Sequence, residues 1–377
     1  MSANFIPRFQ QEIVKEKLKT NKLLLVQGPR KAGKKTIVLN ALNELSATHT
    51  VLNCSEKSTK DQLKETASIQ SIQEEIIVFY EAQYLDNLGA ILEAVLMGEI
   101  SATVIIICSY VPSIKQDLLE AIQQGELEIN VRPPSFFESA QYFGLPSEEK
   151  LLEERLIFGS YPTVITDIDN AEEHLKVLVD DAIFTNLKAG ERINKKEDLM
   201  KVLQYLAFHL GEHLSYNEIA THSELDNETV ERYINLLVDA FVLIRLNSFH
   251  NGHRYELKKS HTFYFADNGI RNTIIRNFNP TNLRNDMSQL WQNYVIAERI
   301  KWIKMNDLQN EVYFWRTSTK QEMDFIEIKE GQLFAYKSDW AKKKKMKYPS
   351  SFVNAYPNVK LGAINRSTYW SFLTKKV

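Results

Sequence analysis

The stretch Lys22–Leu39, KLLLVQGPRKAGKKTIVL, decides how the chain is to be read. Its opening run, Leu23–Gln27, is short, apolar and stopped by Gly28-Pro29, the pattern of a strand buried on both faces of a parallel sheet. Helical periodicity follows. Between the two, Gly28, Gly33 and Lys34 keep the G-x-x-x-x-G-K spacing of a phosphate-binding loop. Glycine lets the backbone wrap so that successive N–H groups and a helix mouth face phosphate oxygens, and the lysine ammonium adds a point charge. The candidate nucleotide-binding residues are Gly28, Pro29, Arg30, Lys31, Ala32, Gly33, Lys34, Lys35 and Thr36.

The loop departs from its pattern where Mg²⁺ is normally held. A Ser or Thr directly after the lysine supplies one metal ligand; here that position is Lys35, and Thr36 points about 100° away around a helix. The other is an aspartate ending an apolar strand, followed by a catalytic glutamate. In IIVFYEAQ (76–83), Glu81 is the catalytic candidate, but Tyr80 precedes it. Mg²⁺ is therefore expected to bind weakly or not at all, because it wants near-octahedral oxygen ligands. Arg30, Lys31, Lys34 and Lys35 crowd four cations around a polyphosphate. Lys35 either stands in for the metal's charge or is a solvated first-turn residue.

Further short apolar runs at 49–55, 75–81 and 102–110 alternate with polar or amphipathic stretches, the rhythm of an α/β domain with a mostly parallel sheet. Pro133 and Pro134 end its last strand, and Ser135 is placed to cap a helix. Residues 150–212 read as helical. In 213–246, Ser215 with Glu218 forms a capping box, and Asp226 caps a second helix with Val230, Tyr233, Ile234, Leu237 and Val238 on its apolar face. Asn251-Gly252 then favours a hairpin, and the whole resembles a winged helix.

With 377 residues, 44% apolar and 25% charged, the chain has ordinary globular usage and length for two or three domains. No apolar run is long enough to span a membrane, and the polar N-terminal stretch argues against a secretory leader, so a cytoplasmic protein is expected. Cys54 and Cys108 have no ligand-spaced partners and read as buried strand residues. A net charge of −2 offers no global attraction for nucleic acid.

Taken in order, GPRKAGKKT, VFYEAQYL, VRPPSFFE, GSYPTVI, ETVERYINLLVDAFVLIRL, FYFADNGI, WQNYVIAE and YFWRTSTKQEMDF followed by AYKS resemble the prokaryotic AAA-type P-loop ATPases that carry a C-terminal restriction-endonuclease-like domain of unknown function. The resemblance implies a nucleotide-binding domain (1–145), a helical segment (146–200), a winged helix (201–260) and a restriction-endonuclease-like domain (261–377), with ATP or ADP as ligand. Relatives usually have Thr at 35, Asp at 80 and Arg at 126, where this chain has Lys35, Tyr80 and Glu126. Three losses in one site imply weak or absent hydrolysis.

In EMDFIEIKEGQLFAYK (322–337) a two-residue turn at Glu330-Gly331 sets Asp324 opposite Lys337 and Ile326 opposite Ala335. A metal nuclease of the resembled fold needs an acid where Ala335 stands, and an upstream acid falls at Gln292. That leaves Asp324, with Glu322 or Glu298, which is a poor site for a hard cation; nuclease activity is not expected. Asp226, Glu228 and Glu231 at the start of the second winged-helix helix would repel phosphates, offset only by Arg232, Arg245, His253 and Arg254. A protein partner is thus favoured over DNA or RNA, for which the lysine run 342–345 is the best patch. His209, His213 and His222 lack ligand spacing for a metal. Two other functions compete with a nucleotide as structural or switch ligand: an ATPase driving a DNA-directed C-terminal half, and an interaction module with an idle loop.

Overall fold

The computed structural model describes residues 5–110, 114–181, 196–250, 260–341 and 346–374. The chain divides into two compact units with a boundary between Pro134 and Ser135.

In the first unit, β1 (Leu23–Gln27), β2 (His49–Asn53), β3 (Ile76–Tyr80), β4 (Thr103–Cys108) and β5 (Glu128–Asn130) form one parallel sheet in the order β2-β3-β4-β1-β5. The near-continuous apolar runs of β1, β3 and β4 are explained by burial on both faces. Leu23, Leu25, Ile77, Phe79, Val104 and Ile106 enter one core, and Leu24, Val26, Ile76, Val78, Ile105 and Ile107 the other. Each such side chain contributes about 1.5–3 kcal/mol on burial. The register pairs Gln27 with Cys108 and Tyr80 with Ile107, so the carboxyl ends of β1, β4 and β3 lie side by side. Ligands of open parallel sheets bind at such an edge.

The first unit closes before residue 145, where the sequence suggested, because the next helix belongs elsewhere. Ser135 caps Phe136–Phe143 in a capping box with Glu138. In that helix Phe136 N donates to Glu298 Oε2 at 2.6 Å and Phe137 packs against Trp302, both in the second unit.

The second unit is organised on a mixed sheet of β6 (His213–Leu214), β7 (Leu243–Ser248), β8 (His261–Phe265), β9 (Glu311–Arg316), β10 (Glu322–Lys329), β11 (Gln332–Ser338) and β12 (Lys360–Ile364). The order is β12-β11-β10-β9-β7-β8-β6. The capping box at Ser215 and the cap at Asp226 form as read from the sequence. Asn251-Gly252 lies outside the described residues, and β7 pairs with β8, Asn247 opposite His261. A boundary at 260 therefore separates two paired strands, and β7 continues into β9 through Asn247–Tyr313 and Ser248–Phe314. The segments expected to be separate domains share one sheet.

Behind it the long helix Met287–Met305 is buried on nearly all sides. Three of its buried polar residues are tied down: Asn293 bonds the Phe265 backbone and Asn268, Arg299 pairs with Glu327, and Lys301 donates to Ser160 Oγ and Glu298. Gly159, at φ 75°, admits no side chain, since a Cβ would stand 1.9 Å from Asp267 Oδ1. Asp267 meanwhile accepts from Ser160 N at 2.8 Å and caps Asn268–Ile274.

Candidate functional site

The loop from Gly28 to Lys34 turns between β1 and the helix Lys34–Glu44. Gly28 has φ 150°, and a Cβ there would lie 1.8 Å from Val131 O, so only glycine lets the loop pass β5. Gly33 is left-handed at φ 97° and opens the helix. Lys31 also has positive φ and is exposed. Ala32 is buried, and its carbonyl accepts from Arg8 at 3.0 Å; the same guanidinium reaches Arg132 O. Arg8 thus braces the loop from beneath, a role that no motif in the N-terminal stretch announces.

Lys34 is 5% exposed and its ammonium donates to Gly28 O at 2.7 Å and Pro29 O at 2.8 Å. Burial lowers its pKa to about 8, against the pull of Glu81. Thr36 is exposed on the helix, as the helical geometry predicts. Lys35 is half-buried, with Nζ 4.7 Å from the centroid of the Tyr80 ring. Burial, reinforced by Glu81, pushes the Tyr80 phenol up to about 12, so it stays neutral. The two positions that normally hold Mg²⁺ are occupied by an ammonium and a ring that face one another. That pair offers a cation no carboxylate and repels it by charge, so the donor set does not fit Mg²⁺.

Glu81 sits at the end of β3 in a left-handed conformation, φ 56° and ψ 41°, and is 7% exposed. Its Oε2 accepts from Arg30 at 3.0 Å and from Gln83 at 2.6 Å. Gln83 in turn accepts from Ser109 N at 3.2 Å, and Ser109 Oγ lies 3.4 Å from Lys34 Nζ. Arg30, Glu81, Gln83, Ser109 and Lys34 thereby close a ring from loop to β3 to β4 and back. Ser109 and Gln83 were not singled out in the sequence; only the strand order brings them to the loop. Cys54 and Cys108 are buried, and burial holds both thiols protonated at pKa about 12. Glu126 lies elsewhere, exposed in a turn, with Lys17 on its carbonyl.

Residues 20–140 match an AAA domain. This AAA domain covers the sheet and the whole loop, and its fold is an α/β P-loop type that binds nucleotides. Residues 149–281 and 287–369 match two domains of unknown function, DUF8612 and DUF4143. An uncharacterized protein of Haemophilus influenzae is 23% identical over 305 residues, 73% of this chain and 75% of that protein. Among solved structures, the Walker-type ATPase PABY2304 of Pyrococcus abyssi is similar at 15% identity and TM-score 0.47, over 73% of this chain and 97% of that one. The Thermotoga maritima RuvB Holliday junction branch migration motor follows at 13% and 0.31, over 62% and 85%.

Outside the AAA domain, the C-terminal constellation takes the register read from the turn. Ile326 faces Ala335, and Lys337 Nζ lies 2.8 Å from Asp324 Oδ1. Asp324 Oδ2 is further held by Ser338 N and Oγ. Glu322 pairs with His213 at 3.1 Å, and His213 Nδ1 meets Thr262 Oγ1. Ala335 is fully buried in a cluster with Trp315, Ile326 and Phe352. Glu298 does not join this group; it is buried against Phe136 N and Lys301. Among the described residues no cluster of three or more His, Cys, Asp or Glu could hold a metal. His209 and His222 both stack on one ring, Tyr205, with centroids 4.1 and 4.7 Å away. Arg245, one of the few cations near the acidic helix start, is spent on Tyr216 Oη and Asn235. His253, Arg254 and the lysine run 342–345 lie outside the described residues. No helix among the described residues is long and apolar enough to cross a membrane.

Proposed function

We propose that the protein binds ATP or ADP in the loop Gly28–Thr36 as a structural or switch ligand, without a Mg²⁺ cage and with weak or no hydrolysis. The loop amides, Lys34 and Arg30 would hold the phosphates. The Lys35–Tyr80 contact carries the reading: it replaces both metal-holding groups with one cation and a neutral ring. Glu81, the remaining catalytic candidate, is tied to Arg30 and Gln83, so positioning a water requires that bond to open. The second half is read as a winged helix and a restriction-endonuclease-like domain that keeps Asp324 but lacks the acids at Gln292 and Ala335, offering surfaces to a protein partner in the cytoplasm. Calorimetric titration with ATP, with and without EDTA, tests the first claim. Binding that persists in EDTA supports it, and binding that needs Mg²⁺ overturns it. Phosphate release above background that Lys34→Ala abolishes would instead favour an ATPase coupled to the C-terminal half.

A further inference from the structure

Two cations of the loop, Lys34 and Arg30, are engaged in different ways. Lys34 is satisfied by the carbonyls of its own loop, whereas Arg30 leaves the loop to close on Glu81 at 3.0 Å. Both side chains of this pair are largely shielded, 18% and 9% exposed, so neither charge is well screened by water. Glu81 is further held by Gln83 and by a strained left-handed backbone, a conformation that surrounding structure must enforce in a non-glycine residue. We propose that Arg30 is a contested cation: a polyphosphate in the loop and the Glu81 carboxylate compete for the same guanidinium, so that phosphate binding unlocks Glu81. The proposal rests on the loop being a phosphate site and adds the regulation of its acid.

Competition makes a signed prediction about coupling. If Glu81 opposes the ligand by occupying Arg30, Glu81→Gln tightens binding only while Arg30 is present. If Glu81 merely repels phosphate through its charge, the same substitution tightens binding whether or not Arg30 is there. A double-mutant cycle separates the two.

The experiment titrates the full chain calorimetrically with inorganic tripolyphosphate and with ATP in EDTA, for wild type, Arg30→Gln, Glu81→Gln and the double variant. Glu81→Gln should tighten binding about fivefold or more, the lower range of a useful coupling, and should leave the Arg30→Gln affinity unchanged. Equal tightening in both backgrounds, or weaker binding by Glu81→Gln, overturns the contest. No binding by wild type overturns the phosphate site and the contest together. Hydrogen exchange supplies a readout that does not depend on the variants' stability. Tripolyphosphate should speed exchange at the amides of Ala82–Tyr84 in wild type, where the clamp opens; slowed exchange there sinks the proposal.

Discussion

Lys35 and Tyr80, which come from the loop helix and the end of β3, meet face to face with the ammonium 4.7 Å from the ring centre. A cation over a ring at a partly exposed site is worth about 0.5–1 kcal/mol. The two changes therefore work as one: reverting either alone removes the contact without rebuilding a metal site. The Lys35→Thr, Tyr80→Asp double variant should gain Mg²⁺-dependent ATP binding, losing about tenfold in affinity on EDTA, equivalent to 1.4 kcal/mol. Each single variant should remain insensitive to EDTA. Isothermal titration with and without chelator checks both.

Lys34→Met should abolish phosphate binding while leaving the fold slightly more stable. A pKa lowered from 10.5 to about 8 costs roughly 3 kcal/mol at neutral pH, and the two lost carbonyl hydrogen bonds return about 2 kcal/mol of that. The sign can be followed with pH. Between about 8 and 10.5 the unfolded lysine carries a proton that the folded one does not, so wild-type stability should rise with pH there. Urea melts of the methionine variant should lack that rise.

Anion affinity should carry the same titration with opposite consequence. Phosphate needs the charged ammonium, so tripolyphosphate binding should be strongest well below pH 8 and fall as the pH rises through it. A flat profile between pH 7 and 9.5 would remove Lys34 from the site.

Gly28→Ala should unseat the loop. Its Cβ would fall 1.8 Å from Val131 O, backbone that is itself held by Val131 N donating to Gln27 O at 2.8 Å. A loss of about 3 kcal/mol or more, with loss of thermal stabilisation by ATP, is expected by differential scanning calorimetry.

Much of this was legible in short spans. The strands β1 to β4, the loop, the capping box at Ser215 and the caps at Ser135 and Asp226 announce themselves because their signals lie within a few residues of one another. The β10–β11 register follows from the Glu330-Gly331 turn alone. What could not be read depends on distant pairing. Lys35 and Tyr80 each show as a departure, but their contact exists only because the strand order brings the β3 end beside the loop. Arg8 lies in a polar N-terminal stretch with no motif around it, yet it is 5% exposed and bonded to two loop-side carbonyls. Glu298, an acid in a helix, gave no sign that it would turn to Phe136 instead of Asp324.

Ala335→Glu, which would restore the acid of a metal-nuclease pattern, should not restore a metal site. Ala335 is buried among Trp315, Ile326 and Phe352, and an uncompensated carboxylate there costs about 3–5 kcal/mol. Thermal melts should show that loss, with no shift on adding Mg²⁺.

The pairing of β7 with β9 limits where the chain can be cut. Two residue pairs, Asn247–Tyr313 and Ser248–Phe314, weld stretches that sequence comparison assigns to different domains. A gene fragment ending between them would expose a raw strand flank on each piece, prone to sticking to its neighbours. The two stretches are therefore expected to fold as one unit, and cutting the chain between them should favour aggregation of both pieces.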